Sequence, residues 1–87
     1  MNINKKKIVE IVSKHVKVSS NKIDDNSSSE NIETWDSLAH LRIILELVEI
    51  TKIKVPSSNF GQYNSIRKIF EKFLISDLLL VLRMSQH

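Results

Sequence analysis

The stretch Thr34–Ile50, "TWDSLAHLRIILELVEI", decides how the rest of the chain is read. A polar, Ser-rich segment ends at Trp35 and Asp36, and a long apolar run begins at Ser37. Asp36 is a good N-cap, because its short carboxylate can accept from a backbone N–H that has no partner inside the first turn. Ser37 then falls in that turn. At about 100° per residue, Leu38, Leu41, Ile44, Leu45 and Val48 form one apolar face, and Arg42, Glu46 and Glu49 form a narrow polar stripe. Ala39, Ile43, Leu47 and Ile50 add a second apolar strip beyond it. A helix lying on a core needs only one such face, so this one is either buried broadly or meets a partner.

Upstream, Ile3 to Val18 reads as an amphipathic helix, with Ile8, Ile11, Val12, His15 and Val16 at three- and four-residue spacings and lysines opposite. Between the two helices, "SSNKIDDNSSSENIETWD" is dense in residues that divert backbone hydrogen bonds into local turns, so Ser19–Asp36 is a long loop anchored by Ile23, Ile32 and Trp35. A loop of that length in so small a domain is often functional. Downstream, "TKIKVP" ends the central helix, since the residue before proline disfavours helical geometry. Ser57–Tyr63 fits one short turn of helix carrying Phe60 and Tyr63. Asn64 or Ser65 then caps a last helix in which Ile66, Ile69, Phe70, Phe73 and Leu74 share a face. The expected fold class is therefore all-α: a small antiparallel bundle of three main helices plus one short helix. Leu41, Ile44, Leu45, Val48, Phe60, Ile66, Ile69, Phe70 and Phe73 are expected to supply most of its core.

Eighty-seven residues suffice for one domain with a modest core, not for a large enzyme cleft. One Gly and one Pro leave few tight turns, and the absence of Cys excludes disulfides and thiolate chemistry from the chain itself. The basic start is interrupted by Glu10 and Lys14 before an apolar stretch can form, which argues against a secretion signal. The apolar run Leu78–Leu82 is far too short to span a bilayer, so the expected location is the cytoplasm. The net charge of +3 hides an uneven distribution: Met1–Lys22 carries +5, Ile23–Thr51 carries −6, and Lys52–His87 carries +4. A nucleic-acid partner is disfavoured, because Ser37 lies in the acidic third. Ser37 and His40 sit three residues apart, but no orienting acid or oxyanion hole accompanies them, so no catalytic residue is assigned. His15 and His87 form no metal-ligand pattern, and no metal site is assigned.

"WDSLAHLRIILELVEI", then "KVP", then "NSIRKIFEKF" resembles the acyl carrier protein family over roughly Ile3–Leu74, within an acyl-carrier-like bundle expected at residues 1–75. Asp36-Ser37-Leu38 is similar to that family's DSL motif. The resemblance implies a discrete, non-enzymatic carrier whose 4'-phosphopantetheine cofactor is attached to Ser37, with acyl or aminoacyl groups held as thioesters. It implies that Asp36 helps the phosphopantetheinyl transferase orient magnesium and cofactor. The helix after Ser37 would then meet the transferase, an acyl- or aminoacyl-loading ligase and downstream synthase enzymes through Leu38, His40, Arg42, Glu46 and Glu49. In many fatty-acid carriers this helix is strongly acidic. Here Ala39, His40 and Arg42 occupy its first turns, which favours a dedicated biosynthetic pathway. A monomer or weak dimer is expected, with residues 76–87 forming an apolar tail outside the resemblance. Two other readings stay open: a carrier-like interaction module without a prosthetic group, and a small basic helical nucleic-acid binder using Lys5, Lys6 and Lys7.

Overall fold

A computed structural model describes residues 3–74. Helix α1 covers Lys5–Val16, α2 covers Ser37–Thr51, and α3 covers residues 66–74; Ser20–Lys22 and Ser57–Tyr63 are short 3-10 helices. The fold is an all-α bundle, and among the described residues the only β pairing is an isolated antiparallel bridge between Ser28 and Ser65. The expected tail at 76–87 lies outside the described residues. No helix among them is long and apolar enough to cross a membrane.

Helix α1 is shorter than its apolar spacing predicts. Asn4 caps it, its side chain accepting from Lys7 N at 2.8 Å. Ile3 before the cap and Ile8 in the first turn are both buried, the arrangement of a hydrophobic staple. The far end stops at Lys17, which turns to a left-handed φ of 60° and donates its N–H to Ser13 O. Val18 is left beyond the helix, where its carbonyl accepts from Ser13 Oγ. Asp36 caps α2 as expected, with Oδ1 accepting from Ala39 N at 2.8 Å. Lys52, again left-handed, closes the other end. Ser65 Oγ accepts from Lys68 N, and Ile69 N bonds Ser65 O, which starts α3.

The core joins Ile8, Ile11, Val12 and Val16 of α1 to Ile43, Ile44 and Leu47 of α2 and to Ile66, Ile69 and Phe73 of α3. Trp35, Ala39, Ile23 and Val55 close its edges. Each such aliphatic side chain contributes about 1.5–3 kcal/mol when fully removed from water. His15 and Val16 at the end of α1 line a cleft with Asp36 and Leu38 at the start of α2, so the two helices run antiparallel.

The core differs from the expected one in the rotation of α2. The second strip, Ala39, Ile43 and Leu47, is buried together with Ile44, while Leu38, Leu41 and Leu45 are 55%, 41% and 52% exposed. Leu41 and Leu45 are therefore corrected from core to surface. Val48, Phe60 and Phe70 pack at the margin of the core rather than in it. The reason is a buried arc that passes through His40 and Thr51, both half-buried and both hydrogen-bonded within the fold.

This rotation is testable by chemical denaturation. Ile43→Ala should cost about 2–4 kcal/mol, as a large-to-small change in a closed core does. Leu45→Ala should change stability by no more than about 0.5–1 kcal/mol, as befits a surface position. The opposite ranking would place α2 in the other orientation.

Candidate functional site

Ser37 is the first residue of α2 and is exposed. The first intrahelical bond runs from His40 N to Asp36 O at 2.9 Å, and Ala39 N is taken by the Asp36 side chain. The N–H groups of Ser37 and Leu38 remain at the helix tip, where the aligned peptide dipoles favour negative charge. Asp36 uses Oδ1 for the cap, and the residue as a whole stays exposed.

Two concavities flank this tip. One, of about 430 Å³, is lined by Ser29, Trp35, Ser37, His40, Gly61 and Asn64 together with Asp36. The other, of about 220 Å³, brings Asp36, Leu38 and Arg42 against His15 and Val16 of α1. Leu38, Leu41 and Leu45 continue from the tip along the exposed side of α2, beside exposed Arg42 and Glu49. The residues singled out from the sequence thus fall on one connected surface, but they are not equally free.

His40 is half-buried: Trp35 Nε1 donates to its Nδ1 at 3.1 Å, and its Nε2 lies 2.6 Å from Phe60 O. Neither ring nitrogen is offered to Ser37, so a nucleophile-and-base pair does not form. Glu46 reaches back to α1, with Oε1 2.7 Å from Lys14 Nζ and 2.8 Å from His15 Nε2. Helical spacing alone pairs Glu46 with Arg42; the structure pairs it across the helix interface instead. Among the described residues, no three His, Asp or Glu side chains are grouped to hold a metal ion.

The Trp35–His40–Phe60 connection was not legible from side-chain types alone. Its sequence signal is positional: Trp35 and His40 stand immediately before the N-cap and at the fourth helical position, where a stapling pair packs.

Compared with known proteins, the chain matches no family model. No curated protein matches it significantly either.

The Glu46 cluster carries a pH signature. Burial on its own pushes this carboxyl up, but the hydrogen bonds from Lys14 and His15 and the charges of both outweigh it together, holding Glu46 below the ordinary carboxylate range. A depressed folded-state pKa contributes stability that is present above the unfolded value, about 4.3, and is lost as pH falls through the folded one. Glu46→Gln should therefore be less stable than wild type near neutral pH by about 0.5–1 kcal/mol, the range of partly exposed pairs. The gap should close on acidification below about pH 4, read by urea denaturation at a series of pH values.

Proposed function

We propose that this protein is a carrier: Ser37 takes a 4'-phosphopantetheine arm, and the exposed side of α2 presents it to partner enzymes. The observation that carries this reading is the exposed hydroxyl of Ser37 on the first turn of α2, directly above an uncovered row of leucines. The resemblance of Asp36-Ser37-Leu38 to the carrier motif supplies the identity of the group.

The residues present fit such an arm. A phosphodiester on Ser37 would meet the two backbone N–H groups left at the helix tip, which favours an anion there. The depression beside Ser37 is lined by Trp35, Asn64, Ser29, His40 and Gly61, with the Asp36 carboxylate as its one acidic side chain. When bound, the arm supplies the thiol that this Cys-free chain lacks and on which acyl or aminoacyl groups can be held. The chain's own part is to hold its hydroxyl clear of the core, keep the helix tip open through the Asp36 cap, and offer a docking face.

The partners of this reading are a phosphopantetheinyl transferase, a loading ligase and downstream synthase enzymes. Asp36 would face the transferase with its free oxygen. Leu38, Leu41 and Leu45 would enter an apolar groove as an amphipathic helix does, with Arg42 and Glu49 setting the register by charge.

Incubation with coenzyme A, magnesium and a promiscuous phosphopantetheinyl transferase should add the mass of one arm to the intact protein. Ser37→Ala should abolish that gain while leaving the circular dichroism spectrum unchanged. A wild-type mass that never moves would instead favour an interaction module that uses the leucine face without an arm. Salt-sensitive retention on DNA would favour the nucleic-acid reading.

A further inference from the structure

Helix α2 opens on an unusual staple. Trp35 and His40 flank the Asp36 cap at positions where two apolar side chains commonly pack. Here their rings lie 6.2 Å apart at 32°, joined by the Trp35 Nε1 hydrogen bond to His40 Nδ1. An indole nitrogen can only donate, so Nδ1 must present a lone pair. The opposite nitrogen faces the carbonyl of Phe60, which can only accept, so Nε2 must carry the proton. The two partners together admit one form of the ring, the neutral Nε2–H tautomer.

Protonation would place an N–H on Nδ1 against the indole N–H, two donors with no acceptor between them. Trp35 is only 2% exposed, so its indole cannot exchange this bond for water without moving. At the other end, the bond to Phe60 O is, among the described residues, the one hydrogen bond from the Ser57–Tyr63 segment to α2. That segment contains no fully buried residue, and its remaining hydrogen bonds are local: Asn59 N to Pro56 O and Gln62 to Asn59.

The ionisable groups around the ring are few. Asp36 lines the same depression from the cap of α2, and Arg42 lies two residues further along the helix. On the adjoining elements, Tyr63 of the 3-10 helix, exposed Glu30 and Glu33 of the loop, and exposed Arg67 and Lys68 of α3 are not among the side chains that line this depression. Asp36 is the one carboxylate lining the depression, and so the acceptor to which a protonated ring would turn.

We propose that His40 is a pH-sensitive latch: neutral, it clasps Trp35 and the Ser57–Tyr63 segment onto the first turns of α2; protonated, it releases Trp35 and loosens the wall of the depression beside Ser37. The latch does not depend on what Ser37 carries.

Trp35 is the sole tryptophan in the chain, so its fluorescence and its indole N–H resonance report on the latch directly. A titration of the full-length protein from about pH 8 to about pH 5 should shift that resonance and change the fluorescence in a single step, with helix content unchanged. His40→Gln keeps one acceptor and one donor but does not titrate, so it should remove the step. His15→Gln, which alters the other described histidine, should retain it. A step that survives in His40→Gln, a flat wild-type titration, or a step that coincides with loss of helix would overturn the proposal. Should His40→Gln fail to fold, the imidazole nitrogen shifts of wild type at about pH 8 decide: the Nε2–H tautomer is required, and either the Nδ1–H tautomer or a charged ring refutes it.

Discussion

The packing of α2 onto α1 through Ala39, Ile43, Ile44 and Leu47 fixes how α2 is turned about its own axis, and the candidate site follows from that angle. Helix α2 is apolar around most of its circumference, so burial could have been bought on either of two sides. With Ile43 and Leu47 buried in one cluster with Ile8, Ile11 and Val12, the opposite side is committed to solvent. It carries Leu38, Leu41 and Leu45 interleaved with Arg42 and Glu49, and it begins at Ser37. Turning the helix far enough to bury Leu41 and Leu45 would expose Ile43 and Leu47 and pull His40 away from Trp35 and Phe60.

That last point explains what could be read in the sequence and what could not. The existence of α1, α2, the short helix at Ser57–Tyr63 and α3 was legible: α1 from its apolar repeat, α2 and α3 from a repeat together with a cap at Asp36 or Ser65, and the short helix from Pro56 before it and the pair Phe60 and Tyr63. The buried side of α2 was not. Its two apolar strips are separated on one side by Arg42, Glu46 and Glu49, and on the other by His40 and Thr51. Periodicity treats both separators as polar and therefore outward. In the fold, Thr51 Oγ1 donates to Leu47 O at 2.7 Å, and His40 has a partner on each nitrogen. Their polarity is thus satisfied internally, and the buried arc runs through them. Satisfaction by residues five and twenty positions away leaves no trace in the local pattern.

The loop shows the same difference between composition and structure. Ser19–Asp36 is rich in residues that favour turns, and it is held as a network rather than left loose. Asp24 N donates to Ser27 Oγ, Asn26 N to Asp24 Oδ1, and Ser28 N to Asn31 Oδ1, each at 2.9 Å. Ser29 N and Ser27 O then bond Asn64 O and Ile66 N, which ties the loop to the start of α3. The charge blocks meet in space as well. Basic α1 reaches the acidic middle third through Lys5 to Asp25 and through Lys14 and His15 to Glu46. Segments that look like opposed charge runs along the chain are in part each other's counterions. Glu46 is consequently drawn toward α1, leaving Arg42 and Glu49 as the freer charges of the α2 surface.

What remains is a division of labour along one helix. The side that holds the bundle together contains Ile43, Ile44 and Leu47, all with no exposed surface. The side that contributes little to the bundle contains three half-exposed leucines, which leave apolar area in contact with water and so call for a physical reason. A lone monomer would gain nothing from them. A protein that must be recognised repeatedly through a small surface, while its core stays undisturbed, gains a docking face whose residues can change without cost to the fold. Ser37 stands at the end of that face and outside the core, so a group attached there would be displayed without unpacking anything. The carrier reading requires that separation of display from packing, and an interaction module without an arm would need the leucines but would have no use for the exposed hydroxyl above them.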